Sequence, residues 1–414
     1  MKIAILSDDF PPKSFGGAGI VVFEQARELA RRGHEIVVIT TTQEKDEVGR
    51  TDQEGIKIYR LYANYHERFL AYRSIYNTQT IPFVRDILRE FRPDVVHTHN
   101  VHQYLSYYTL ALARRYAAKV FLTAHDAMAI QYGKLFPRLI MNERDASHWD
   151  YQISAWKQLR AYRLRFNPLR NVLIRHYLKN TDTIFAVSSA LAEALRQNGI
   201  GGVEVLYNGI DVERFVATAE DIDAFKKKQH LCGKRVMLFA GRLSRAKGGD
   251  VAFALFKKVH EALPEICLLV VGKEDAYARR LVRQAQDAEL EDHVILTGWL
   301  SQEEMVLAYA ASDLVLFLSL YLDAFGMVNL EAMAAHKPVI GTCFGGTPEV
   351  IVDGETGYIV DPHNLARVAE RTLAILTNSA RAQRFGRAGY ERARSAFSLT
   401  RQVDALERYY RAMA

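Results

Sequence analysis

At 414 residues the chain is longer than one hydrophobic core usually fills, so its length points to two domains of roughly 200 residues each. Apolar residues at 49% and charged residues at 25% describe an ordinary globular protein and exclude a disordered or fibrous chain. The net charge of +6 comes with no domain-wide basic excess and no reader motif, so nucleic acid is not the expected partner.

The opening MKIAILSDD holds too short an apolar run for a signal peptide, and no uninterrupted apolar stretch of about 18 residues follows. Cys232, Cys267 and Cys343 lack the paired spacing of metal sites or disulfide frameworks. Both features lead us to expect a cytoplasmic protein.

Short β-rich runs alternate with helical patterns along the chain. KIAILS, EIVVITT, IKIYRL, DVVHTH, KVFLTAH and TIFAVS read as strands in the first half, and RVMLFAG, CLLVVG, HVILTG, LVLFLS and PVIGT in the second. Continuous Val/Ile/Leu runs separated by helices predict parallel sheets covered on both faces, and so two doubly wound α/β domains, 1–212 and 213–395. The charged stretch Asp211 to Lys234 reads as the linker with one helix, and FSLTRQVDALERYYRAMA as a final amphipathic helix. In open sheets of this kind ligands sit beyond the carboxyl ends of the strands, so residues just after strands carry the most weight.

In chain order, Gly16, Gly17 and Gly19 precede an amphipathic helix whose first turn offers free N–H groups to a phosphate or a closely approaching sugar. They do not form a dinucleotide fingerprint: position 22 is Val, and the second strand ends in threonines with no acid for a ribose. His97, His99 and His102 superficially suggest a metal, but no acid or cysteine completes a set, and no metal residue is assigned. His125, directly after a strand, has Asp126 beside it to orient the ring; a buried, satisfied histidine is the plainer reading.

From Lys157 to Lys179 seven basic residues (Lys157, Arg160, Arg163, Arg165, Arg170, Arg175, Lys179) stand without an acid among Trp156, Tyr162, Phe166 and Tyr177. That face suits a peripheral contact with anionic lipid at the inner face of the membrane, or a phosphorylated acceptor. A solvated helix pair with its aromatics packed inward is the alternative.

In FAGRLSRAKGGD, Arg242 follows a strand and Lys247 lies five residues on. Two cations converging at a strand's carboxyl end suit a diphosphate: the guanidinium forks two oxygens and the ammonium supplies a point charge. In DAFGMVNLE, Asp323 sits in the turn after LVLFLS and Glu331 inside the next helix. Its first N–H groups suit sugar and phosphate oxygens, with Gly326 letting the ligand come close and Glu331 accepting ribose hydroxyls. An Asp before a helix also simply caps it. CFGGTPEV repeats the design at the next strand with Glu349.

Read together, FGGAG with GHEIVVIT, AHD, GRLSRAKGG and DAFGMVNLEAMAAHKPVIGT with GGTPEVI and GETGYIV resemble the retaining glycosyltransferases of family 4 over nearly the full length. The resemblance implies the GT-B fold, two Rossmann-like domains facing a central cleft, with the last helix returning to the first domain. It implies a metal-independent enzyme without a cofactor that moves a sugar from a UDP- or GDP-sugar to a hydroxyl of a glycan, lipid-linked or small-molecule acceptor.

In that family an E-x7-E motif contacts the donor; Glu331 matches the second Glu and Asp323 stands one methylene short at the first. By resemblance, Arg242 and Lys247 bind the donor diphosphate, and backbone groups of Phe325, Gly326, Met327 and Val328 hold sugar and phosphate. Trp299 and Leu300 lie near the base, His125 meets the donor sugar, and the Gly17 loop closes over the leaving group. Gly16, Gly241, Lys273 and Glu349 complete the donor-binding set. A GT-B-fold nucleotide-sugar epimerase and a catalytically silent nucleotide-sugar-binding subunit are the other classes the same residues allow.

Overall fold

The computed structural model describes residues 1–12, 16–136, 150–163 and 167–412. The chain forms two compact units: Met1–Asn208 together with Leu399–Ala414, and Gly209–Ser398.

The first unit is built on β1 (Lys2–Leu6), β2 (Glu35–Thr42), β3 (Gly49–Gln53), β4 (Ile56–Tyr62), β5 (Val95–Thr98), β6 (Lys119–Ala124), β7 (Thr183–Ala186) and β8 (Val203–Val205). Their order across the sheet is β3-β4-β2-β1-β5-β6-β7-β8. Ile3, Ala4, Ile5 and Leu6 are all buried, because a central strand covered on both faces has no solvent side on which to place a polar residue. β3 alone runs antiparallel, paired to β4 with Asp52 opposite Lys57. Its sequence GRTDQ is wholly exposed, which suits an edge strand and explains why no apolar run announces it.

The last helix, Leu399–Arg411, is part of this first core. Leu399, Val403, Leu406 and Tyr410 recur at helical spacing and pack with Phe23, Ala26, Phe121 and Phe185. Arg32 donates to Asp404 (2.6 Å) and Glu407 (3.0 Å) of the same helix, and the His34 ring lies 2.6 Å from Glu407.

The second unit carries β9 (Arg235–Ala240), β10 (Ile266–Val271), β11 (Val294–Leu296), β12 (Leu314–Phe317), β13 (Val339–Thr342) and β14 (Gly357–Val360). All are parallel, in the order β11-β10-β9-β12-β13-β14. The stretch after Asp211 is not a linker. Its helix Ala219–Lys228 is capped by Thr218, and Phe225 and the following Leu231 are buried, so it folds as part of the second unit. The two apolar anchors are concealed among charges, which is why composition alone misreads it.

In both sheets the strand order reverses once, between β1 and β5 and between β9 and β12. A reversal leaves a crevice at the carboxyl ends of the two strands, because their following connections leave to opposite faces. We expect Leu406→Ala, which empties a fully buried position under the first sheet, to cost about 2–5 kcal/mol in urea unfolding.

Candidate active site

The second unit's reversal gathers most of the residues singled out by sequence. After β9 the chain makes a single turn, Arg245–Lys247, in which Ser244 Oγ accepts from the Lys247 amide at 3.2 Å. After β12 it runs to Asp323, whose Oδ2 accepts from Lys247 Nζ and from Ser319 Oγ (3.2 Å). Lys247 Nζ also lies 5.3 Å from the ring centroids of both Phe317 and Tyr321, a cation held against aromatic faces. Burial opposes charge on Asp323. The adjacent ammonium and its hydrogen bond, helped by Tyr321 and Ser319, prevail and hold the carboxyl below its ordinary value.

Lys247 and Asp323, expected to act on different parts of a ligand, are thus partners of one another. Arg242, in the same loop, is exposed and has no hydrogen-bond or ion-pair partner among the described residues.

The loop carrying Asp323 is buttressed from β13. Gly346 N donates to Asp323 O at 2.9 Å, and a Cβ on Gly345, at φ +69°, would stand 2.0 Å from that same oxygen. Gly326 is required by internal packing. It sits at φ +75°, and a Cβ there would meet the Phe317 ring at 2.8 Å and the Asn329 amide at 2.7 Å. It heads the helix Met327–Ala334 with no side-chain cap, so the amides of the first turn, Met327 and Val328 included, have no capping side chain. Phe325 is buried edge-on against Phe397.

Glu331 lies within that helix and accepts the Tyr309 hydroxyl at 2.5 Å through Oε2. One of its two oxygens is therefore already taken, and Oε1 has no partner among the described residues. Burial raises its carboxyl above the ordinary value, and the Tyr309 bond offsets only part of that. Gly241, Lys273, Trp299 and Leu300 follow β9, β10 and β11; Lys273 is exposed and Trp299 is 58% exposed. Glu349 stands in the short helix Thr347–Val350 beyond β13, its carbonyl accepting from Arg392 at 2.8 Å.

In the first unit, Gly16 adopts extended backbone and precedes the helix Gly17–Arg31, which Gly17 begins. At the β1/β5 reversal Asp8 accepts the backbone N–H groups of Gln103 (2.7 Å), Tyr104 (2.8 Å) and Leu105 (2.7 Å), bracing the loop after β5. His125 follows β6, and its ring is not oriented by Asp126 as sequence suggests. Asp126 is engaged by Asn100 Nδ2 (3.2 Å), the Met128 amide (2.9 Å) and His102 (3.5 Å). His125 Nε2 instead lies 3.0 Å from His99 Nδ1. His97 stacks on His99 with centroids 4.5 Å apart, and its nitrogens meet Tyr410 OH (2.5 Å) and Thr123 Oγ1 (2.8 Å). Burial keeps all three rings neutral, holding His97 down to about 3 and His125 to about 4, with His99 well below its ordinary value.

The basic segment spans the helices Ala155–Tyr162 and Arg170–Leu178. Arg170 does not belong to its outer face: it is wholly buried and donates to Met128 O (2.6 Å) and Asn171 Oδ1 (3.0 Å). Tyr162 and Tyr177 pack on Tyr132 and Tyr108, whereas Trp156 is 71% exposed. Arg165 and Phe166 lie outside the described residues. Among the described residues no cluster of three or more His, Cys, Asp or Glu is placed to hold a metal ion, and no helix is long and apolar enough to cross a membrane.

Tyr309 and Ser319 are participants that the sequence does not single out, and His99, weighed there only as a metal ligand, is instead the partner of His125. His99 carried a signal, since alternate positions at the end of β5 place it on one face with His97.

Residues 15–214 match the glycosyltransferase family 4 domain, and residues 221–392 match the glycosyl transferases group 1 domain. The chain belongs to glycosyltransferase family 4. It is 28% identical over 436 residues to the D-inositol 3-phosphate glycosyltransferase of Mycolicibacterium smegmatis, covering 100% of this chain and 92% of that protein. Glycogen synthase of Mycobacterium tuberculosis is 25% identical over 432 residues, covering 99% and 94%. Among solved structures, sucrose-phosphate synthase of Thermosynechococcus elongatus superposes with a TM-score of 0.78 at 21% identity, over 99% of this chain and 98% of that one. Anabaena HepE in complex with UDP and glucose does so with 0.72 at 19% identity, over 99% of each. The fold of this glycosyltransferase is GT-B, and the family acts with nucleotide-sugar donors.

The two carboxylates of the second unit depend on pH in opposite senses. Asp323, lowered, stabilises the fold above its unfolded value of 3.8 and loses that contribution as pH falls through the folded value. Glu331, raised, has its full contribution below 4.5 and loses it as pH climbs through the folded value. Glu331→Gln should therefore raise the melting temperature at about pH 8 and change it little at about pH 4, read by differential scanning fluorimetry.

Proposed function

We propose that the protein is a retaining glycosyltransferase that moves a hexosyl group from a UDP- or GDP-sugar to an acceptor hydroxyl, with no resident metal or cofactor. The supporting observation is the cation pair of the β9 loop at the strand-order reversal: Arg242 without a protein partner and Lys247 fixed by Asp323. As the bond from the anomeric carbon to the diphosphate oxygen lengthens, negative charge grows on the leaving phosphate. The fixed Lys247 ammonium, the unpartnered Arg242 guanidinium and the uncapped amides at Met327 and Val328 stabilise that charge.

In this reading Asp323 acts first through Lys247, holding the ammonium in place, and Oε1 of Glu331 accepts a ribose hydroxyl. His125 meets the donor sugar, and the amino-terminal unit offers the acceptor. Anabaena HepE in complex with UDP and glucose supports the donor class. The names of the glycogen and inositol 3-phosphate enzymes support an acceptor hydroxyl carried by a sugar or polyol.

Arg242→Ala should lower kcat by about 100–1000-fold, as loss of one aligned donor to a developing anion does elsewhere. The anomeric configuration of the product, read by NMR, checks retention: an inverted product overturns that part of the reading. Glu331→Ala should abolish the thermal shift that a bound sugar nucleotide produces, about 2.7 kcal/mol at 100 times its dissociation constant. Free epimerised sugar nucleotide formed with no acceptor present would favour the epimerase class instead.

A peripheral membrane contact has one favouring observation. Trp156 and Leu169 (63%) are exposed, as are Lys157, Arg160 and Arg163 of the same segment, and apolar with cationic groups suit an anionic bilayer surface. Sedimentation with phosphatidylglycerol vesicles should fall in the Trp156→Ala, Arg160→Ala, Arg163→Ala triple variant; unchanged sedimentation removes the contact.

A further inference from the structure

We propose that His99 is a positioning residue that fixes the tautomer of His125. It donates its Nδ1–H to His125 Nε2, so that His125 carries its own proton on Nδ1 and meets its ligand as a hydrogen-bond donor. The inference deepens the role of His125 toward the donor and rests on that reading.

The geometry first establishes a directed bond. The facing nitrogens are 3.0 Å apart, the ring centroids 5.3 Å apart and the ring planes within 22° of each other. Rings so disposed lie edge to edge with nitrogen pointing at nitrogen, the arrangement an N–H···N bond needs. Both imidazoles are neutral, since burial in a row of rings disfavours the charged form. A neutral imidazole has one N–H and one lone pair, so only two arrangements exist.

The far nitrogen of His99 distinguishes them. Nε2 is fully buried and has no partner. If His125 were the donor, His99 would carry its proton on that nitrogen, leaving a buried N–H with no acceptor. Orphaned buried donors are the rarest unsatisfied groups in proteins. If His99 is the donor, only a lone pair goes unmet. The second arrangement is therefore favoured, and it leaves His125 with Nδ1–H.

That nitrogen has no partner among the described residues, and it is absent from the buried unpaired atoms. The neighbouring groups do not compete for it. Asp126 is occupied by Asn100, Met128 and His102, and His97 by Tyr410 and Thr123. His125 thus presents an N–H to a hydroxyl or phosphate oxygen. It has no free lone pair with which to remove a proton from an acceptor.

The test is a long-range 15N–1H correlation spectrum of the intact protein with labelled histidine, the His125 signals being identified by their loss in His125→Asn. The expected pattern is protonated Nδ1 and unprotonated Nε2, constant over about pH 6 to 9. A protonated Nε2 overturns the proposal. His99→Phe keeps the ring and its stacking but removes the donor. It should mix the two His125 tautomers and lower kcat on the order of 10–100-fold, with little change in KM for the donor. His99→Asn, whose amide N–H reaches the place of Nδ1, should restore the pattern and part of the lost kcat. An unmoved His125 pattern in His99→Phe also overturns it. If that variant does not fold, the parent spectrum decides alone. Because the spectrum requires no turnover, failure of the transferase reading and failure of this inference are separately visible.

Discussion

The bond between Lys247 and Asp323 is the constraint around which the second unit's site is arranged. An ammonium on a four-carbon stem is ordinarily free to wander, and a buried carboxylate is ordinarily driven to take up a proton. Each cures the other's defect: the carboxylate fixes the cation at the end of β9, and the cation keeps the carboxylate ionised at the end of β12. Their turn and loop are in turn held by Ser244 and by the Gly345–Gly346 backbone. Removing either partner leaves the other uncompensated in a part-buried setting. A positive charge is therefore held at the end of β9, at a position set by the sheet.

The first unit solves the opposite problem. Burial in a row of rings keeps His97, His99 and His125 polar without being charged. Desolvation is offset by a counter-charge in one unit and left uncompensated in the other. One sheet thus ends in a retained ion pair and the other in neutral imidazoles.

The sheets were legible because buried parallel strands must be continuously apolar, and Ile3 to Leu6 or Leu314 to Phe317 leave no other reading. β3 was invisible, since a solvated edge strand needs no apolar residue, and the helix around Phe225 was misread because one aromatic among six charges resembles a connection. The site residues were visible as residue types placed just after strands. Their pairings were not: Lys247 and Asp323 are 76 positions apart, and only the adjacency of β9 and β12 brings them together. Asp126 is the natural partner of His125 by sequence neighbourhood, yet successive residues leaving a strand point apart, and His99, just past the end of the adjacent strand β5, is the ring that meets it. Glycine at 326 was readable as a requirement for small size, but not that the space is filled by Phe317.

The excursion of the polypeptide through the second unit before Leu399 rejoins the first has a consequence for biogenesis. Emerging from the ribosome, the amino-terminal sheet is complete once Val205 is out, but the floor of its hydrophobic interior, Val403, Leu406 and Tyr410, is translated only after the whole second unit. Until then Phe23, Phe121 and Phe185 lack their cover and His97 lacks the phenol of Tyr410. Nascent chains of this protein thus pass through a long interval with one greasy surface open, during which chaperone protection matters most.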